Sequence, residues 1–194
     1  MENWETPFGI IETDKEFGNA LIEKGIKVNE KPHQNEHSLE VQMPFLQFAS
    51  RDKLNSLKIL PIIVSEDSDY KEIAEKIVKT SDETGKSIVL IASSDFTHFG
   101  ISYGYMPFHT EIKKNMYELD NKAIKIIEGL KATKFLQYVD ETGATICGKN
   151  PIAVVVEACK MLGAEKGMLI AYYTSGDITG DYRNAVGYGS IVIK

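Results

Sequence analysis

Apolar residues recur at helical spacing in several stretches of the chain, and each stretch is bracketed by start and stop signals. Asp14 is a good N-cap for a helix that places Phe17, Ala20, Leu21 and Ile22 near one side, with Gly25 as its stop. Residues 36–49 put Leu39, Met43, Leu46 and Phe48 on one side, although Pro44 predicts a kink or division there. Ile73, Ala74, Ile77 and Val78 predict a helix over 68–80. Longer helical patterns cover 111–129 and 148–162, with Pro151 near the first turn of the latter, and another helix starts over 133–138. Continuous apolar runs at 57–64 and 87–92, and segments at 168–174 and 185–193, predict strands.

The succession 57–64, 68–80, 87–92 has the strand, helix, strand order of a parallel crossover unit, whose sheet is normally covered by helices. A three-layer α/β sandwich with a mostly parallel central sheet is the predicted fold, in one domain over 1–194. The front of the chain departs from that pattern. The segment around Trp4 is poorly patterned, and a first complete strand, helix, strand unit is missing.

Composition narrows the partners. At 194 residues and 43% hydrophobic, the chain can bury a substantial core. Its net charge of -6 offers no global positive field for phosphate backbones or anionic lipid, so nucleic acid and membrane surfaces are not expected partners. The apolar runs at 88–92 and 152–156 are far short of the roughly 18 residues that cross a bilayer. The opening MENWETPFGI lacks a basic region followed by an apolar one, which favours a cytoplasmic protein. Cys147 and Cys159 are too few for a disulfide framework and are expected to be reduced.

Candidate chemistry concentrates where apolar runs end. Residues 93–100, SSDFTHFG, follow the 87–92 run directly, at the carboxyl end of a predicted strand, where α/β sheets bind ligands. Asp95 and His98 are three apart and share one side if the chain makes a helical turn there. Equally, Asp95 can cap that turn while His98 packs with Phe96 and Phe99. Cys147, in TICGKNPI, precedes a predicted helix whose N-terminus favours thiolate, a nucleophile and a metal ligand; a small buried hydrophobe is the plain alternative. Cys159 sits mid-helix among apolar residues and fits that alternative. In residues 35–40, NEHSLE, Glu36 and His37 stand beside a capping Asn35 or Ser38. His33 and His109 have no defensible partner and read as solvated. The polar end of YYTSGD, 172–177, can join the same rim.

Phosphate-cradling loops and the serine-hydrolase elbow are absent. Asp95, His98 and Cys147 can still converge, either as metal ligands and base or as a Cys-His-Asp nucleophile system.

Three co-linear motifs, EHSLEVQMPF at 36–45, SSDFTHFG at 93–100 and TICGKNPI at 145–152, together resemble the MEMO family, the B component of the AmmeMemoRadiSam system. The resemblance runs over the whole chain, including the strand around Tyr172 and the closing Gly187-Tyr-Gly. It implies a fold like that of the class III extradiol dioxygenases with a metal-type site at the sheet edge. It further implies that Cys147 is a metal ligand, that Asp95 and His98 line the cleft as second-shell groups or base, and that Glu36 and His37 lie near it.

The family's two histidine ligands sit in earlier motifs, roughly A-P-H-A-G-Y and G-P-S-H-H, and neither occurs here. The chain is therefore similar to the later part of a MEMO protein, lacking N-terminal strands, as a truncated or split product. Iron, copper or zinc belongs to a complete site, and a lone thiolate is not expected to hold one of them stably. A companion chain carrying the missing part is the expected partner. The alternatives are a non-catalytic module whose cleft takes a peptide or protein, and a metal-independent hydrolase using Cys147, His98 and Asp95.

Overall fold

The computed structural model describes residues 2–34 and 36–194, so a cap from Asn35 lies outside the described residues. The chain is α/β and divides into two compact units, residues 1–89 and 90–194.

The first unit opens with a hairpin that periodicity did not reveal. β1 (Trp4–Thr6) and β2 (Gly9–Thr13) pair antiparallel about a tight turn in which Gly9 adopts φ +107°, a conformation that favours glycine. The Asp14 side chain then caps α1 (Lys15–Glu23) by accepting the Phe17 amide at 3.0 Å. It also holds the Lys86 ammonium at 2.7 and 2.8 Å. Burial works against the Asp14 carboxylate, but Lys86 and the Phe17 amide hold it below its ordinary range.

Pro44 divides the next segment as expected: a short 3₁₀ turn at Glu40–Gln42 gives way to α2 (Met43–Ala49), with proline in the first turn, where its missing N–H costs nothing. Only two residues of the predicted strand at 57–64 form a ladder, as β3 (Lys58–Ile59), parallel to β2. Ile11, Met43 and Ile59 form the small core here, with Trp4, Leu39, Leu46 and Leu57 packed around them. α3 (Tyr70–Thr84) starts from an Asp69 cap, ends at Gly85 with φ +64°, and packs on α1 through its Ala74 and Ile77 face.

The second unit contains the other sheet, in the order β4 (His98–Gly100), β6 (Asn184–Ile193), β5 (Gly167–Thr174). Both pairings are antiparallel. α4 (Ile112–Glu128) packs on this sheet with Met116, Ala123, Ile124 and Ile127 buried, and α5 (Ala132–Thr142) joins α4 to α6 (Lys149–Met161). Each fully buried large apolar side chain contributes about 2 kcal/mol. A short α7 (Ser175–Thr179) follows β5 under a capping box made by Thr174 and Asp177.

Two expectations change. Among the described residues, β2 with β3 is the only parallel strand pair, and the strands form two three-stranded sheets rather than one mostly parallel sheet. Residues 87–92, the second strand of the predicted crossover unit, join neither sheet; they run without a ladder, and Val89 is 87% exposed. Parallel strands need neighbours brought by crossover connections, and a strand sequence without one stays single. Among the described residues, no helix is long and apolar enough to cross a membrane.

Candidate functional site

Asp95, His98 and Cys147 come together in the second unit. Their ligand atoms all lie within 4.8 Å of one another, with Asp95 and His98 partly buried and Cys147 exposed. His98 Nε2 meets Asp95 Oδ2 at 3.3 Å. The expected helical turn does not produce this approach. Residues 93–97 form a bend, and His98 opens β4 in register with Val186 of β6, because the sheet edge supplies the main-chain partners that a helical turn would otherwise make. The His98 ring lies 5.1 Å from that of Tyr103, while Phe96 meets Tyr172 edge-on and Phe99 stacks on Phe108.

Three sets of hydrogen bonds fasten the Cys147 turn to the Asp95–His98 bend. The Thr145 hydroxyl accepts the His98 amide at 2.9 Å and donates to the His98 carbonyl at 2.7 Å. The Gly148 amide donates to Ser94 Oγ at 2.9 Å. The Asp95 amide donates to Cys147 Sγ at 3.3 Å. Each bond ties residues about fifty apart in sequence, so donor positions are set by the scaffold rather than by their own rotamers.

Gly148 makes this approach possible. A Cβ there would stand 2.5 Å from Ser94 Cβ and 2.9 Å from the Ser93 carbonyl. Gly148→Ala is expected to push the two turns apart. Thiol reactivity at the exposed Cys147 should change several-fold while the melting temperature falls by only a few degrees. Iodoacetamide kinetics beside a thermal melt check this; unchanged thiol kinetics would mean that the turns are not tied as described.

Beneath the bend sits a carboxylate that the sequence reading passed over. Asp120, on α4, is fully buried; it accepts the Thr97 hydroxyl at 2.6 Å, the Thr97 amide at 3.3 Å and the Tyr172 hydroxyl at 2.5 Å. Burial pushes its pKa up, partly offset by those donors. Tyr172 therefore braces the site from below. The other polar end of YYTSGD has a different task. Asp177 caps α7 and gathers Lys113, Tyr117 and Tyr182; burial opposes its ionisation, but the Lys113 ammonium and both hydroxyls hold it well below the carboxylate range. Burial, and then the same contact with Asp177, push Tyr117 up to about 12.

Glu36 and His37 lie in the first unit. Glu36 accepts the Ser38 amide at 2.6 Å, which lowers its pKa, and His37 is exposed. His33 is half-buried in a 3₁₀ turn and His109 is exposed. Cys159 is half-buried in α6, where burial raises its pKa.

One edge of the trio has the spacing of two ligands on a metal ion. Ligands at about 2.0 Å in a tetrahedron lie about 3.3 Å apart, and a sulfur ligand at about 2.3 Å lies slightly farther from its neighbours. The Asp95–His98 separation of 3.3 Å equals such an edge. A nucleophile-base pair fits less well: Cys147 Sγ contacts the main chain of Asp95 and Ser94 Oγ, and among the described residues no hydrogen bond joins it to His98.

The model of the Memo-like protein family matches residues 1–192. Curated relatives agree. A MEMO1 family protein of Methanopyrus kandleri is 37% identical over 195 residues, covering 98% of this chain and 64% of its own length. That of Methanosarcina barkeri is 34% identical, covering 100% and 68%. That of Nitrosopumilus maritimus is 38% identical, covering 97% and 64%. The chain thus spans just under two thirds of the length of the first of these relatives. A family match over residues 1–192, with relatives 34–38% identical over nearly the whole chain, leaves one conclusion: this chain belongs to the MEMO family.

Proposed function

We propose that this chain presents a thiolate-containing metal site in which Cys147, His98 and Asp95 are the protein donors, within a single MEMO domain related to the class III extradiol dioxygenases. The observation that carries it is the convergence of three different donor atoms within 4.8 Å. Cys147 is thus not the lone ligand that counting histidine motifs suggests. Sulfur, imidazole nitrogen and carboxylate oxygen together suit zinc, copper or iron better than magnesium or calcium. A divalent ion held there supplies Lewis-acid chemistry, or one-electron chemistry where the ion is iron or copper.

The residues around the trio do the rest. Thr145, Ser94 and the Asp95 amide fix the bend, so the donors need little rearrangement to meet an ion. With three protein donors the site leaves a coordination position open, as catalytic sites do. Both cysteines are free, and a reducing cytoplasm would keep Cys147 available as a ligand.

Titration of the reduced protein with Co(II) tests the site. One equivalent is expected to bind with thiolate-to-cobalt charge-transfer absorption. Cys147→Ala should abolish that absorption, and His98→Ala or Asp95→Asn should weaken binding at least about tenfold, as loss of one of three ligands implies. Binding that survives Cys147→Ala unchanged, or no absorption from a chain with a free thiol, would overturn the proposal.

A further inference from the structure

We propose that Tyr103 is a positioning residue of the trio: its ring, carried on a tethered loop, fixes the orientation in which the His98 imidazole meets an ion. The inference rests on the metal reading of Cys147, His98 and Asp95, and names what keeps one of those donors aimed. A metal-ligating histidine ordinarily gives its second ring nitrogen to a carboxylate, a carbonyl or water, and that bond sets the ring. Among the described residues, the His98 ring has a single hydrogen bond, between Nε2 and Asp95 Oδ2. Asp95 is itself a donor to the ion, so that bond is given up when both turn to the metal. What stays on the ring is Tyr103, whose centroid lies 5.1 Å away with the planes tilted by 46°. Aromatic rings attract over about this range, 4.5–7 Å. An imidazole on a divalent ion is also more positive than a free one, so its contact with the tyrosine ring strengthens as the ion binds.

A side chain can orient its neighbour only if its own backbone is held, and this loop is held at several points. Gly100 and Tyr105 close its neck with two main-chain bonds, at 2.9 and 3.3 Å. Asn184 Oδ1, on β6, accepts the Ser102 amide at 2.9 Å, and the Tyr105 hydroxyl donates to the Thr142 carbonyl at 2.9 Å. Between these ties Ile101–Tyr103 make a 3₁₀ turn. The neck admits no side chain at residue 100: its φ is +128°, and a Cβ there would collide with the Arg183 carbonyl. Tyr103 itself is 44% exposed, so its ring contributes little to the core, and among the described residues His98 is the one ring it meets.

Tyr103→Leu, Tyr103→Phe and Ile101→Ala test this, the last as a control on the same turn, where the side chain is 80% exposed. The first readout needs no metal. In an Asp95→Ala background, which removes the hydrogen bond as an ion would, the three-bond couplings of the His98 β-protons report its rotamer. One rotamer is expected with Tyr103, Tyr103→Phe and Ile101→Ala, and an average over several with Tyr103→Leu. The second readout is Co(II) titration with Asp95 intact. Tyr103→Leu should weaken binding about tenfold and alter the visible ligand-field bands, which report the geometry around the ion, while Tyr103→Phe and Ile101→Ala keep the parental affinity and bands. Melting temperatures should stay nearly unchanged throughout, which separates orientation from loss of fold. A parent chain that takes up no Co(II) counts against the metal site, and the couplings still decide whether Tyr103 holds the ring. Couplings that Tyr103→Leu leaves unaveraged, parental Co(II) affinity in Tyr103→Leu, or a Tyr103→Phe chain no better than Tyr103→Leu would overturn the inference.

Discussion

Asp120→Ala is expected to destabilise the second unit by about 3 kcal/mol, because it leaves several buried donors without an acceptor at once. The Thr97 amide, the Thr97 hydroxyl and the Tyr172 hydroxyl all point at this carboxyl, which has no exposed surface. Each orphaned donor costs about 1–3 kcal/mol, and relaxation recovers part of it. Asp120→Asn should cost about 1 kcal/mol, since the amide oxygen still accepts from Thr97 and its nitrogen can donate to the Tyr172 oxygen.

The pH dependence separates the titration of the Asp120 carboxyl from its hydrogen bonding. Burial raises the Asp120 pKa in the folded chain above its ordinary 3.8, so the folded state keeps a proton that the unfolded chain has already released. Its contribution is complete below 3.8 and is lost as pH rises from there through the folded value. Asp177 runs the other way: its lowered pKa contributes stability above the ordinary value that is lost as pH falls. Urea unfolding from pH 4 to 8, followed by circular dichroism, should therefore show a flatter alkaline limb in Asp120→Asn than in the parent. An unaltered limb would assign the upward shift to another group.

The helices of this protein were legible because their signals are local. Asp14 caps α1, Pro44 stands at the head of α2, and the stripe from Met116 to Ile127 buries one face of α4. The strands were legible only as strand-like sequence. Nothing within residues 87–92 tells whether a neighbour exists, since pairing is supplied from elsewhere in sequence or from another chain. The hairpin of β1 and β2 was hidden for a different reason. Its strands are short and largely exposed, so hydrophobic alternation had little to record, and the Pro7-Phe8-Gly9 turn was the one usable sign.

The trio itself could be read from three motifs, but what holds it could not. Thr145 and Ser94 are ordinary polar residues in sequence, and their value lies in bonds that cross from one turn to another. Asp120 did leave a trace. It is a carboxylate set four residues after Met116 on an otherwise apolar stripe, and such a residue in a helix interior calls for a buried partner.

Gly187→Ala is expected to be as damaging as loss of Asp120, and for a linked reason. A Cβ at this β6 position would collide with Asp120 Oδ2, stand 2.7 Å from the Tyr172 hydroxyl and lie 3.1 Å from Phe96 Cβ. None of these can swing away, since Asp120 and Tyr172 are bonded to each other and Phe96 is buried. The strand cannot withdraw either: the Gly187 amide donates to the Thr97 carbonyl at 3.0 Å, and its carbonyl accepts the Phe96 amide at 2.8 Å. Those bonds hold the bend that carries Asp95 and His98. Overpacking of this kind costs about 2–3 kcal/mol, and the displaced bend should weaken Co(II) binding at least about tenfold. Gly180→Ala is the control: its φ of +76° costs about 1 kcal/mol of backbone strain, with nothing near its Cβ, and binding should not change. In the double variant Asp120→Ala, Gly187→Ala, the new methyl enters the space the carboxylate vacates. The two costs should then fall short of their sum by at least about 1 kcal/mol in a double-mutant cycle. Additive costs would show that Gly187 and Asp120 do not share one packed contact beneath the site.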